Sequence, residues 1–262
     1  MDEREDQLRR ESGIQGARWE TLHQGYFSHP AIADPLVEVA AETIAACRAT
    51  VVADLGGGTG MLLRRISERH PHLRVRLVDV DVSARQLAEV RDGRVQPLNA
   101  SALEVRREDL QVGEGRLMLL MRSLLHYFGR EGLRPLLRHL RDQLKPGEAM
   151  VHQTACFLDP RDALCANRLY EMMRTHKWYP AECELREVLE GAGWDVSPAR
   201  PAPPLALESA DLAERYQLSP RDLDEIRRGL EREFGPVPAV FAPRPGGFIA
   251  WLHYAIFICR AK

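Results

Sequence analysis

The stretch Val51-Val52-Ala53-Asp54-Leu55-Gly56-Gly57-Gly58-Thr59-Gly60 decides the fold. A short apolar, β-rich run (51–55) delivers an acidic residue, Asp54, and four glycines then arrive where the next helix should begin. Glycine permits backbone angles that a Cβ penalises and lets a ligand approach the main chain, while the helix behind it offers unpaired N–H groups. Spacing excludes two other glycine-rich signatures. Counted from Gly56 through Gly58, the last position of GxGxxG/A falls on Met61, and no Gly-Lys-Ser/Thr follows.

Outward from this turn the hydrophobic period switches repeatedly between strand and helix. Upstream, AIADPLVEVAAETIAAC (31–47) places Ile32, Leu36, Val39, Ala40, Ile44 and Cys47 near one helical face. Downstream, helical stretches at 61–70, 83–91 and 130–143 alternate with strands at 73–80, 94–98, 116–121 and 149–155. Such alternation with short turns predicts an α/β protein with a doubly wound, parallel sheet covered on both faces. Beyond it, helices are expected at 160–176 and 181–192, followed by the strand-like WDVSPAR (194–200). The Pro-rich PARPAPP (198–204) reads as a lead into two polar helices near 208–216 and 220–234, the second opened by Ser219 and Pro220. Residues 205–245 therefore form an insertion before an apolar terminal strand, FIAWLHYAIFICRAK.

Composition narrows the function. The 262 residues carry 36 basic and 38 acidic side chains, a net charge of -2 that supplies no bulk field for nucleic acid or an anionic membrane. Five scattered cysteines form no CxxC pair and the nine histidines show no metal-ligand spacing. The charged beginning, MDEREDQLRRESG, is unlike a signal peptide, so a reducing, cytoplasmic setting is expected.

A second acidic position follows nineteen residues after Gly60: Asp79, with Asp81 two further on. In doubly wound folds a carboxylate at this strand end reaches the ribose hydroxyls of a bound adenosine. Asp79 takes that role by spacing and Asp81 that of a helix cap, although both point the same way on a strand and the roles can exchange.

These residues resemble the class I S-adenosylmethionine-dependent methyltransferases. VVADLGGGTG is similar to their first motif, the Asp79 region to their acidic second motif, and Leu98-Asn99-Ala100 to the turn that meets the adenine amino group. RLMLLMRSLLHYF with LRDQLKPGE is similar to their fourth strand, the helix after it and the turn into strand five. The resemblance spans about residues 48–155, with HPHLR, LLH and LKPG leaning toward the small-molecule O-methyltransferases. It implies a seven-stranded, mostly parallel Rossmann-like sheet whose last strand runs antiparallel, with helical lid insertions at 156–180 and 205–245 of a cofactor-binding domain (49–262), preceded by an N-terminal helical cap (1–48).

By the same resemblance, Asp54, Gly56, Gly58 and Gly60 shape the methionine and ribose end of the S-adenosylmethionine site. Asp79, or Asp81, takes the ribose and Asn99 the adenine, and Arg122 and Ser123 face cofactor or substrate. Methyl transfer is an in-line displacement that needs a positioned nucleophile and, for a hydroxyl or protonated amine, a base. The candidates for proton transfer are His126, His152 and His176. Tyr170 and Tyr26 belong to an aromatic set with Trp19, Phe27, Trp178 and Tyr179 that can face a sulfonium cation. The expected reaction is methyl transfer to an O or N nucleophile of a small-molecule substrate. The alternative, intramolecular cyclisation or aminocarboxypropyl transfer, would release methylthioadenosine, with Asn167, Tyr170 or His176 around the methionine amine. Homodimerisation is left open.

Overall fold

Val51–Leu55 is the first strand (β1), buried at every position. A strand covered on both faces has no water-facing side, so its sequence lacks polar alternation. In the computed structural model, which describes residues 25–262, β1 lies centrally. It pairs in parallel with β2 (Arg76–Asp81) on one side and β4 (Leu117–Arg122) on the other, with Asp54 opposite Asp79. β3 (Val95–Asn99), β5 (Ala149–Ala155), β6 (Trp194–Val196) and β9 (Gly247–Ala261) complete the order β3-β2-β1-β4-β5-β9-β6. β9 runs antiparallel to β5, as the resemblance implied.

Helix α1 (Pro30–Cys47) and helix α2 (Met61–Arg69) cover one face of this sheet, where Leu36, Val37, Ile44, Leu63 and Ile66 meet Val52, Met118 and Val151. The expected cap therefore contributes α1, while residues 1–24, Trp19 among them, lie outside the described residues. Helix α3 (Ala84–Leu87) is a single turn, shorter than the expected 83–91. On the other face, helices α4 (Gly129–Asp142) and α6 (Glu182–Gly191) bury Leu133, Leu137, Leu185 and Leu189 against Leu119, Met121 and Phe257. Trp194 is fully buried there, its indole N–H donating to the Leu137 carbonyl at 3.1 Å.

The departure from expectation lies after Val196. PARPAPP is not a connector: Arg200–Glu208 forms strand β7 on β9, with an irregularity between Ala202 and Leu205. Pro201, Pro203 and Pro204 lack N–H groups, so they suit an edge strand at a bulge rather than a central one. β8 (Phe241–Arg244) pairs with the other side of β9, so β7, β9 and β8 form an antiparallel upper sheet. Between β7 and β8 lie α7 (Ser209–Tyr216) and α8 (Pro220–Phe234). The expected start of α8 is present, with the Ser219 hydroxyl accepting from Asp222 N–H and Asp222 accepting from Ser219 N–H. Together with α5 (Pro160–Met172), these elements enclose a separate apolar cluster that includes Leu169, Leu207, Leu230 and Phe248. The seven-stranded path thus carries two further strands, and β9 belongs to both sheets.

The LKPGE turn has its own structural reason. The Glu148 carboxylate, fully buried, accepts from both terminal nitrogens of Arg107 at 2.6 and 3.0 Å, from Leu117 N–H at 2.9 Å and from Lys145 N–H at 2.7 Å. Burial works to raise its pKa, but these hydrogen bonds outweigh it and hold the carboxyl below the usual glutamate range. Its ionised form therefore ties the start of β4 to the turn before β5. No described helix is long and apolar enough to cross a membrane.

Candidate functional site

The glycine turn is shaped by what lies beneath it. Gly56, Gly58 and Gly60 all have left-handed φ, near 70°, which side chains with a Cβ rarely adopt. Gly57 is required by space instead: a Cβ there would stand 2.2 Å from Asp79 Oδ1 and 2.9 Å from Asp54 Oδ2. The two aspartates, partners across β1 and β2, thus sit side by side under the loop. Neither carboxylate has a hydrogen-bond partner among the described residues. Burial, reinforced by the nearby Asp81, raises Asp79 to about 8; burial and then Asp79 and Asp81 push Asp54 well above the carboxylate range. A cationic group brought to this loop would relieve both.

Asp81 is buried too, but it reaches the cavity wall. One of its oxygens accepts from Gly58 N–H at 3.1 Å and the other from Ser83 N–H at 2.7 Å, and the side chain lines a cavity with Gly56, Gly57 and Gly58. Asp79, given the ribose role by spacing, is fully buried and off the cavity wall. The helix cap is Ser83, whose hydroxyl accepts from Gln86 N–H. Asn99 is also displaced from its expected role. Its amide donates to the Asp81 carbonyl at 2.8 Å, so it braces the strand end while Ala100, Ser101 and Leu103 form the wall. Val82 and Leu103, 62% and 47% exposed, flank this end of the cavity. Apolar groups left exposed at a cavity mouth offer faces for a flat ring.

The cavity, about 1260 Å³ with its open mouth, continues past the end of β4. There Ser123 is held at φ 55°, outside glycine's usual monopoly on that region, and both it and Arg122 line the wall. Arg122 donates through Nη1 to the Phe27 carbonyl at 2.9 Å and lies 5.4 Å from the Phe27 ring, while its Nε and Nη2 have no partner among the described residues. Unsatisfied buried guanidinium donors suit a carboxylate.

His126 follows on the same wall, in a short 3-10 turn (Leu125–Phe128). Its ring stacks on Tyr179 at 5.3 Å, and Nδ1 is buried without a hydrogen-bond partner among the described residues. Burial, then the charges of Lys177 and Arg215, hold its pKa well below the usual histidine value, so the ring is neutral near pH 7. Tyr170, Tyr179, Lys177 and Arg215 also line this inner end.

The other two histidines are placed elsewhere. His152 lies within β5, stacked on Phe257 at 5.0 Å with no access to the cavity, and burial lowers its pKa to about 3. His176 is exposed and lines a shallow outer depression with Trp178. Asp54, Gly60 and Tyr26 are likewise off the wall. Tyr26 donates its hydroxyl to the Pro203 carbonyl and packs on Tyr254, fixing the segment before α1 to β7. Lys177 and Arg215 are the residues that sequence reasoning missed. The available signal was composition: only three of the 36 basic residues are lysines.

Residues 53–147 match a family model described as a methyltransferase domain. The chain thus has a methyltransferase domain over these residues. No curated protein matches the sequence. Among solved structures, the YcgJ protein from Bacillus subtilis is 12% identical with a TM-score of 0.65, covering 87% of this chain and 99% of that one. A 1,6-didemethyltoxoflavin-N1-methyltransferase from Burkholderia thailandensis, with bound 1,6-didemethyltoxoflavin and S-adenosylhomocysteine, is 16% identical with a TM-score of 0.56, covering 98% and 88%. An O-methyltransferase family protein from the same organism is 19% identical with a TM-score of 0.53, covering 96% and 70%. These likenesses are of fold. The residues on the wall fit the S-adenosylmethionine that the resemblance implies: Asp81 and the Gly56–Gly58 turn would meet its nucleoside and the unpartnered donors of Arg122 its carboxylate.

One prediction separates the two acidic residues. Asp81→Asn should weaken S-adenosylhomocysteine binding by about 1.5 to 3 kcal/mol, the worth of a charged hydrogen-bond partner. Asp79→Asn should instead raise the denaturation midpoint of the cofactor-free enzyme, because it removes a buried carboxylate with no partner. Calorimetric titration and urea unfolding of both variants check it. An unchanged affinity in Asp81→Asn removes that side chain from the cofactor site.

Proposed function

We propose that the enzyme methylates an oxygen or nitrogen of a small molecule held at the inner end of the cavity, with His126 accepting the acceptor's proton. The observation that supports this best is the neutral His126 ring, its Nδ1 without a partner among the described residues, on the same wall as the glycine turn. When bound, S-adenosylmethionine would supply an electrophilic methyl group on a sulfonium for displacement by the acceptor's lone pair. Asp81 and the loop orient the nucleoside end, and Arg122 offers its unused donors to the methionine carboxylate. The apolar wall of Leu205, Leu207 and Leu252 excludes water from the acceptor. His126 takes the hydroxyl or ammonium proton as the new bond forms and returns it to solvent afterwards. Walls drawn from both sheets, with few polar groups among many apolar ones, suit a small-molecule pocket.

Incubating the purified protein with S-adenosylmethionine and a desalted small-molecule extract tests the reading. Formation of S-adenosylhomocysteine together with a product heavier by one methylene unit is expected. Methylthioadenosine in its place would mean that the amino acid part, not the methyl group, is transferred.

A further inference from the structure

We propose that Asp54 and Asp79 form a single proton-sharing pair beneath the glycine turn, and that a cationic group settling on Gly57 expels the shared proton, so that cofactor binding is linked to proton release. The proposal rests on the functional reading above and adds a control of the same site by pH. The two side chains come from neighbouring strands at one register position, Asp54 of β1 opposite Asp79 of β2. They are 1% and 0% exposed, and none of their carboxylate oxygens has a hydrogen-bond partner among the described residues. Both aim at one point: the place over Gly57 that a Cβ would fill lies 2.2 Å from Asp79 Oδ1 and 2.9 Å from Asp54 Oδ2. Gly57 lines the cavity, so a single residue without a side chain separates the pair from whatever occupies the turn.

Two carboxylates this close and this dry cannot both ionise, since each negative charge raises the cost of the other. Their surroundings do little to change that. Among the described residues, the other charged groups acting on the pair are Asp81 on β2, a third acid, and Arg122 at the end of β4, which acts on Asp54. Arg122 hydrogen-bonds neither carboxylate and donates instead to the Phe27 carbonyl. Asp79 stands opposite Pro97 of β3 and Asp54 opposite Leu120 of β4, while α1 and α2 bring Leu36, Val37, Leu63 and Ile66 to this face of the sheet. With one proton between them, the carboxyl of one aspartate can donate to the carboxylate of the other, the hydrogen bond that neither finds elsewhere.

The free pair thus holds one proton and one negative charge. When a ligand ammonium settles over Gly57, the carboxyl O–H bond breaks toward oxygen, the proton passes to solvent, and the incoming positive charge offsets the second negative one. Burial and Asp81 raise Asp79 to about 8, and a bound cation lowers it, so the ionised pair that binds best becomes populated as pH rises toward that value. Affinity therefore climbs with pH below about 8 and levels off above it.

The test is calorimetric titration of the full chain with S-adenosylhomocysteine, whose ammonium is the probe, across this pH range and in buffers of different ionisation enthalpy. Release of about one proton is expected at neutral pH, with affinity rising by up to about tenfold per pH unit on the acid side of the plateau. Asp79→Asn should abolish both the release and the pH dependence, because the amide holds no titrating proton and can donate to Asp54. A second measurement needs no variant: infrared difference spectra of the unmodified protein should lose a protonated carboxyl C=O band when S-adenosylhomocysteine binds. Binding without proton release, release that survives Asp79→Asn in a folded protein, or a carboxyl band unchanged by binding overturns the proposal. Failure of S-adenosylhomocysteine to bind at any pH would overturn the functional reading instead.

Discussion

Replacing His126 with glutamine is expected to lower kcat by about 10²- to 10⁴-fold, the usual contribution of a positioned base, while leaving S-adenosylhomocysteine affinity close to that of the parent enzyme. The side chain lies on the wall beyond the glycine turn, so the loss should fall on turnover rather than on cofactor binding. The pH dependence follows from the direction of its shift. Burial, Lys177 and Arg215 lower its pKa well below 6.5, and a base works only above its own pKa. The acid-side decline in rate should therefore fall below the ordinary histidine range. Steady-state kinetics across pH, with an identified acceptor, provides the check. A variant that turns over normally would remove His126 from proton transfer.

Glu148→Ala should cost about 3 to 5 kcal/mol of stability, because it leaves the Arg107 guanidinium largely buried without its counter-charge and strands two backbone N–H groups. The side chain of Arg107 is 15% exposed and that of Glu148 not at all, so water cannot replace the pair. The linkage has a definite sign. A carboxyl whose folded pKa lies below its unfolded one contributes stability above the unfolded value, near 4.5, and loses it as pH falls toward the folded value. Urea unfolding at pH 7 and at pH 4 measures both. A Glu148→Ala midpoint equal to that of the parent would mean that the turn is held by its backbone alone.

What could be read from the sequence was set by how much each residue's surroundings are local. β1 and β5 match their expected limits residue for residue, because apolar runs bounded by turns carry their own boundaries. PARPAPP misled because proline count is a local property, whereas an edge position on β9 is supplied by residues fifty places later. Asp79 and Asp81 point to the same side of β2, so alternation alone left their roles interchangeable; the path of the Gly58 backbone toward Asp81 decides between them. His152 and His126 pose a similar problem. All seven residues of β5 are buried, so no polar alternation marks which face His152 takes, and the helical turn that aims His126 into the cavity follows from packing against Tyr179. Lys177 escaped notice because a lone lysine in a polar stretch ordinarily belongs to the surface.

The fifteen residues of β9 serve both sheets, and this has a consequence for how a growing chain acquires its shape. β5, β6, β7 and β8 all precede β9 in chain order, yet each finds its antiparallel partner there. While β9 is still to be synthesised, the parallel order β3-β2-β1-β4-β5 can assemble from the ribosome outward, but the edge of β5 stays open and the elements over the acceptor chamber have nothing to pair with. The inner end of the cavity, with Leu252 and Tyr254 of β9, is then completed in one late event, and a nascent chain stalled before residue 247 would hold an unprotected strand edge open to chaperones or another copy of itself.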